Sequence, residues 1–283
     1  MGSGERPPVI GFLTDFGLDG AAAACRGVML SICPFAQIVD VSHTVRKYAV
    51  RDGAFVLRAT LPHLPVAVHV GVVDPGVGTA RRPIAIRVER GDVLVGPDNG
   101  LLLPAADALG GAEEARELTN RALWLADLSS TFHGRDLFSP VAAHLAAGDA
   151  AFDDVGPPIG IESFVRLPAP RPRATDGRLE TEVTYVDSFG NLRLAGRLDD
   201  LAAAFARLDP PGVQVRVGAA ELQDVAIGAS FGHVAEGAVV LYVDSTGDLA
   251  LAVNRGDLAA RIGAATGMAV SITRRDRASF RRG

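Results

Sequence analysis

His69-Val70-Gly71-Val72-Val73-Asp74-Pro75-Gly76-Val77-Gly78-Thr79-Ala80-Arg81-Arg82 begins as an apolar, β-branched run and breaks at Asp74 into a glycine-rich loop ending on two arginines. A short apolar run closed by turn residues reads as a buried strand, here Val66 to Val73. In open α/β sheets, ligands sit beyond the carboxyl ends of the strands. A carboxylate and an arginine at such an end are therefore candidates for chemistry. Upstream, Pro8 to Leu13 reads as a strand ending in Thr14-Asp15-Phe16-Gly17, Gly20 to Ser31 as a helix, Gln37 to Val41 as a strand and Val50 to Leu61 as a helix. Strand, helix, strand, helix, strand is the pattern of a parallel sheet with right-handed crossovers.

Downstream, Pro83–Val88 and Asp92–Val95 read as two strands joined by Glu89-Arg90-Gly91, and Gly96-Pro97-Asp98-Asn99-Gly100 is a turn. Thr131-Phe132-His133-Gly134-Arg135-Asp136 opens a helix running to about Ala147. Arg166 to Arg178 is proline-rich and aperiodic and reads as a linker. Beyond it, short strands with glycine turns predict a smaller all-β, barrel-like domain. The expected organisation is an α/β N-terminal domain over 8–165, with a mostly parallel sheet flanked by helices, a linker over 166–178 and a β-rich domain over 179–283.

The chain has 283 residues, 48% of them hydrophobic and 22% charged, with a net charge of −5. That suits a soluble two-domain protein and gives no basic surface for nucleic acid. No apolar run is long enough to span a membrane, and the start lacks a signal-peptide core, so the expected location is cytoplasmic. Cys25 and Cys33 read as reduced core residues. Lys47 is the only lysine. The Arg274–Arg282 tail reads as a solvated end.

The strand-end loops offer Asp15, Asp74 with Arg81, Asp98 with Asn99, and His133 with Arg135 and Asp136. Each has a plain structural alternative. Asp15 could cap the following helix. Asp74-Pro75-Gly76 and Asp98-Asn99-Gly100 could be ordinary turns. Arg81 and Arg82 could be a solvated pair, and Arg135-Asp136 a surface ion pair of small worth. Turns, however, do not require their polar residues to gather on one sheet edge. No metal-ligand spacing, P-loop, dinucleotide fingerprint or serine-nucleophile elbow is present.

Six segments in order resemble the S-adenosyl-L-methionine (SAM) hydroxide adenosyltransferases, relatives of the SAM-dependent fluorinase and chlorinase. They are Leu13–Gly17, Val72–Thr79 with Arg81, Gly96–Gly100, Thr131–Asp136, Val186–Asn191 and Asp244–Gly247 with Ala252–Asn254. The resemblance implies hydrolysis of SAM to adenosine and methionine by attack of water or hydroxide on ribose C5′, with SAM the substrate, no cofactor and no metal. It places water handling on Asp74, Arg81 and His133, and the ribose hydroxyls on Asp15. Tyr48 falls where the halogenases carry an aromatic residue beside the ribose. The amino-acid end of SAM falls to Asp187 and Ser245, and adenine to Asn191, Asn254 and Arg255 with Phe189 nearby. The family is typically a homotrimer with SAM between the N-terminal domain of one subunit and the C-terminal domain of the next.

The chain departs from the halogenases where they carry Tyr-Pro-x-Thr-Gly, at Asp74 to Gly78, and where the fluorinase has Ser, at Gly134. The Asp187–Asn191 turn is one residue shorter than in the fluorinase, and Thr246 and Val253 replace arginines. A chloride adenosyltransferase is thus the alternative within the same chemistry. A module that binds SAM or adenosine without turnover is the alternative of another class.

Overall fold

The structure is a computed structural model that describes residues 6–205 and 212–274. It divides into two compact units, with the boundary between Leu167 and Pro168.

In the first unit, strands β1 (Val9–Thr14), β2 (Gln37–Ser42), β3 (Val68–Val72), β4 (Pro83–Val88), β5 (Val93–Pro97) and β6 (Ala112–Glu117) form one sheet in the order β2-β1-β3-β5-β4-β6. The β2-β1-β3-β5 ladder is parallel, and β4 pairs antiparallel with both β5 and β6. Both faces are covered, which is why β3 is buried along its whole length. Successive strand residues point to opposite faces. Ile10, Phe12, Val70 and Val72 meet Cys25 and Met29 of helix α1 (Ala21–Ile32) and Val141 of a later helix. Leu13, Val73 and Leu94 meet Ala54 and Leu57 of α2 (Val50–Thr60) and Ala105 of α3 (Leu103–Ala108). With β2 and β3 on either side of β1, the chain leaves β1 toward one face and returns to β3 across the other. The carboxyl ends of β1 and β3 therefore border the crevice where such sheets bind ligands.

β6 and α3 were not legible in the sequence. β6 reads Ala-Glu-Glu-Ala-Arg-Glu, the charged composition of an edge strand rather than an apolar run. The helix expected to open at Thr131–Asp136 and run to about Ala147 begins instead with a π-helical turn, Gly134–Phe138, before α4 (Ser139–Ala147). Pro140 has no N–H to return to Asp136, and the Asp136 carbonyl accepts from Leu125 N at 2.9 Å instead. The Ser139 N–H and hydroxyl both reach the Gly134 carbonyl, five residues back. Cys25 and Cys33 are buried and unpaired, and burial pushes the Cys25 thiol up to about 11.

In the second unit, β7 (Arg173–Thr175), β8 (Arg178–Val186), β9 (Leu192–Leu194), β10 (Val213–Val217), β11 (Ala220–Ile227), β12 (Val239–Val243), β13 (Leu249–Val253) and β14 (Ala269–Arg274) run in the order β14-β10-β11-β12-β13-β9-β8-β7. β14 also pairs with β8, which closes seven strands into a barrel and leaves β7 outside it. The barrel is filled by Leu179, Val183, Leu192, Val215, Leu241, Leu251 and Ile272 among others. Two short helices, α5 (Leu198–Ala204) and α6 (Leu258–Ile262), make the domain less than all-β. The expected linker 166–178 is a linker only in its first half. Asp176-Gly177 is a two-residue hairpin turn that pairs Thr175 with Arg178. The Arg275–Arg282 part of the basic tail lies outside the described residues. No described helix is long and apolar enough to cross a membrane.

Candidate active site

Asp74 and Asp15 each follow the end of a buried parallel strand, β3 and β1 respectively, so their Cα positions are fixed by the sheet. Arg81 Nε donates to both Asp74 oxygens, at 3.0 and 2.9 Å, and Nη2 donates to Oδ2 at 2.6 Å. The pair is nearly dry, with side-chain exposures of 10% for Arg81 and 5% for Asp74. The guanidinium also lies 5.1 Å from the centroid of the Phe138 ring. Such a forked pair fixes both rotamers. The glycine-rich loop between them is drawn onto the 130s loop. At Gly78 (φ +76°) a Cβ would lie 2.6 Å from the Ser130 carbonyl oxygen, so only glycine fits.

Arg81 Nη2 lies 2.8 Å from His133 Nδ1. Arginine only donates, so Nδ1 accepts, and the neutral imidazole carries its proton on Nε2. Burial, and then the Arg81 charge, hold the His133 pKa below its ordinary value of 6.5. His133 stands at the entry to the π-helical turn. That turn is anchored by Asp136, fully buried, which accepts from Ser129 N at 2.8 Å and Arg135 Nε at 2.6 Å. Asp136 is therefore an internal strut, with Arg135 reaching it from the surface. Arg82 turns away from Arg81 to Asp98 and the Ser163 carbonyl. Asp98 and Asn99 serve the fold: Asp98 also accepts from Val165 N, and Asn99 donates to the Val73 carbonyl.

Asp15, Tyr48, Asp74 and His133 line one cavity of about 250 Å³ with Phe16, Lys47, Val72, Val77, Thr131, Phe132 and Gly134. Asp15 Oδ2 accepts from the backbone N–H of Tyr48 at 2.8 Å. Tyr48 adopts φ +66°, uncommon for a residue with a side chain, and its ring is exposed. Strain of this kind concentrates at functional sites. Lys47, Phe16, Thr131 and Phe132 were missed in the sequence reading, although each adjoins a residue that was singled out. Val77 presents methyl groups to the cavity.

Gly134 faces the Phe16 ring, and a Cβ there would lie 2.8 Å from Cζ. Gly134→Ala should gain about 1 kcal/mol of helix propensity but force Phe16 toward the cavity at about 1–3 kcal/mol. The net loss of stability should be about 1 kcal/mol, with a clear rise in KM for the substrate. An unchanged KM would show that the ring yields elsewhere.

The other expected contacts lie in the second unit. Asp187 accepts from Phe189 N (2.9 Å) and Asn191 N (3.0 Å) through Oδ1, and from Asn191 Nδ2 (2.9 Å) through Oδ2. These bonds build the β8–β9 turn and leave the Phe189 ring exposed. The Gly190 carbonyl of that turn accepts from Ala259 N, just beyond Asn254 and Arg255. Asn254 donates to the Val234 carbonyl at 2.7 Å, and Arg255, at φ +56°, is exposed beside Glu236. Ser245 lies in the β12–β13 turn, at the opposite end of that ladder from Asn254. Next to it, Asp244 pairs with Arg193 and accepts from the Thr246 hydroxyl at 2.7 Å. Among the described residues, no group of three or more His, Cys, Asp or Glu side chains is arranged to hold a metal ion.

A switch-point crevice holding an Asp-Arg-His set, followed by a closed seven-stranded barrel, defines a two-domain α/β-plus-barrel enzyme class. The chain belongs to the SAM hydroxide adenosyltransferase family. Residues 10–156 match the family's N-terminal domain and residues 181–271 its C-terminal domain. It is 48% identical over 267 residues to a protein of Salinispora tropica named (R)-S-adenosyl-L-methionine hydrolase, covering 94% of this chain and 98% of the relative. A Thermus thermophilus protein of the same name is 38% identical, with 92% and 98% covered. An Actinoplanes fluorinase is 30% identical, with 94% and 98% covered. A Thermotoga maritima structure described as an uncharacterized conserved protein superposes with a TM-score of 0.84 at 37% identity, covering 94% of this chain and all of that one.

Proposed function

We propose that the Asp74-Arg81-His133 set places one water in line with the C5′–sulfur bond of SAM. The protein is a SAM hydrolase that forms adenosine and methionine, as its relatives are named. The observation that carries the site assignment is the polarity of the set. Arg81 occupies the acceptor nitrogen of His133, so toward the cavity the imidazole offers an N–H. Asp74 is then the acceptor of the three. The water oxygen accepts from His133 Nε2–H and donates one proton to Asp74. Its remaining lone pair attacks C5′, and the C5′–S electron pair leaves with sulfur as neutral methionine thioether. The proton then leaves an oxonium, a far stronger acid than water. The Asp74 carboxylate suffices to take it and pass it to solvent. Orientation of this kind supplies about 7–11 kcal/mol in favourable cases.

Asp15 at the cavity edge suits two vicinal hydroxyls, and its grip on the ribose holds C5′ in line through binding energy remote from the reacting bond. Asp15→Ala should weaken adenosine binding by at least about 100-fold, the low end for two hydrogen bonds to a charged group. Calorimetry showing wild-type affinity would remove Asp15 from the ribose site. For the second unit, the resemblance puts adenine toward Phe189, Asn191, Asn254 and Arg255 and the amino acid toward Asp187 and Ser245; the Asp187–Asn191 turn lies with Asn254 at one end of the β12–β13 ladder and Ser245 at the other. A homotrimer, a cytoplasmic location, the absence of a cofactor, and no nucleic-acid or membrane partner complete the proposal from the resemblance and the composition. Reaction in oxygen-18 water tests it: labelled adenosine supports the mechanism. With chloride present, 5′-chloro-5′-deoxyadenosine would point to the halide reading, which the Asp74 carboxylate opposes. Tight adenosine binding without methionine release would point to a binding module.

A further inference from the structure

Thr14, at the end of β1, is fully buried, and its Oγ1 lies 2.9 Å from His43 Nδ1. His43 Nε2 lies 2.9 Å from Asp40 Oδ1, and the other Asp40 oxygen is paired with Arg26 of α1. The donors follow from chemistry. A carboxylate only accepts, so Nε2 carries the proton. Nδ1 then accepts, and the Thr14 hydroxyl donates to it. The Thr14 oxygen is left to accept from the Phe16 N–H, at 3.2 Å. The backbone of the same histidine acts as well: its carbonyl accepts from Gly17 N at 2.7 Å. The ring is held edge-on against Phe12, 4.8 Å between centroids.

His43 thus holds both ends of the Thr14–Gly17 loop, through its ring at Thr14 and its carbonyl at Gly17. Between them lie Asp15 and Phe16, both of which line the cavity, while Arg26, Asp40, His43 and Thr14 do not. Phe16 packs edge-to-face on Phe132, 5.6 Å between centroids, next to His133. We propose that His43 is a positioning residue that aims the Asp15 carboxylate at the ribose, with Asp40 and Arg26 fixing its orientation. This rests on the reading of Asp15 as the ribose-binding carboxylate. The partly exposed Arg26–Asp40 pair adds little stability of its own. Its contribution is direction: it orients the imidazole so that Nδ1 faces Thr14.

The test uses the full chain and two readouts. The first is amide hydrogen exchange at Phe16 and Gly17 in the free protein. The second is the ratio of affinities for adenosine and 2′,3′-dideoxyadenosine, which isolates recognition of the hydroxyls from general nucleoside binding. His43→Ala should speed exchange at Phe16 and shrink the ratio, each about tenfold, the scale of one net hydrogen bond. His43→Asn, whose Oδ1 can stand in for Nδ1, should restore most of both. Should His43→Ala not fold, Asp40→Ala leaves the imidazole without the carboxylate that orients it and should give the same two changes. Unchanged exchange and an unchanged ratio overturn the proposal. Faster exchange with an unchanged ratio also overturns it, since the loop would then loosen without moving Asp15. If the wild type itself does not prefer adenosine, the ribose reading of Asp15 fails. The exchange arm still decides whether His43 holds the loop.

Discussion

His133→Ala should lower turnover about 100-fold or more, within the range for a positioned group acting on a proton or nucleophile, while SAM affinity changes little. In the proposed mechanism the imidazole meets the water, and most of the ligand is held elsewhere. Equal turnover in variant and wild type would remove His133 from the mechanism. A pH profile sharpens the result. Burial and Arg81 lower the His133 pKa, so the ring is neutral at pH 7. Activity should persist below pH 6.5 and fall only as pH drops through that lowered value, when a proton on Nδ1 confronts the Arg81 guanidinium. An acid limb above pH 7 would contradict the assignment.

Arg81→Ala should be the most damaging substitution in the first unit. It leaves the Asp74 carboxylate, 5% exposed, without its forked partner, and removes the donor to His133 Nδ1. Breaking a buried pair from one side costs about 3–5 kcal/mol. For a unit of this size that corresponds to roughly 10 °C in Tm. Asp74→Asn combined with Arg81→Ala should recover a substantial part of this, because no buried charge is then stranded. Thermal unfolding of the three variants measures the difference. Equal Tm for the single and double variants would show that the carboxylate finds water instead.

The β-α-β-α-β opening was legible because its strands are near-continuous apolar runs and its helices carry one apolar side. The edge strand β6 was not, because an edge strand tolerates Glu and Arg on both faces. β7 was hidden by the prolines before it, although Asp176-Gly177 carried the hairpin signal. At the site, Asp74, Arg81 and His133 could be named from motif order, and the fold brings Arg81 within hydrogen-bonding distance of both Asp74 and His133. Their polarity could not be read. An isolated His133 suggests a base, and only the 2.8 Å approach of an arginine to Nδ1 turns it into a donor. The buried role of Asp136 was equally hidden, since beyond the neighbouring Arg135 its partners are backbone groups at Leu125 and Ser129.

The π-helical turn at Gly134–Phe138 is, in effect, an α-helix carrying one residue too many. Each extra residue turns the chain behind it by about 100°. The surplus residue, stabilised where Pro140 withholds an N–H, thus sets the bearing of His133 independently of how α4 packs on the sheet. A lineage could re-aim or retire this histidine through a single codon gained or lost, with every residue of α4 left in place on the sheet.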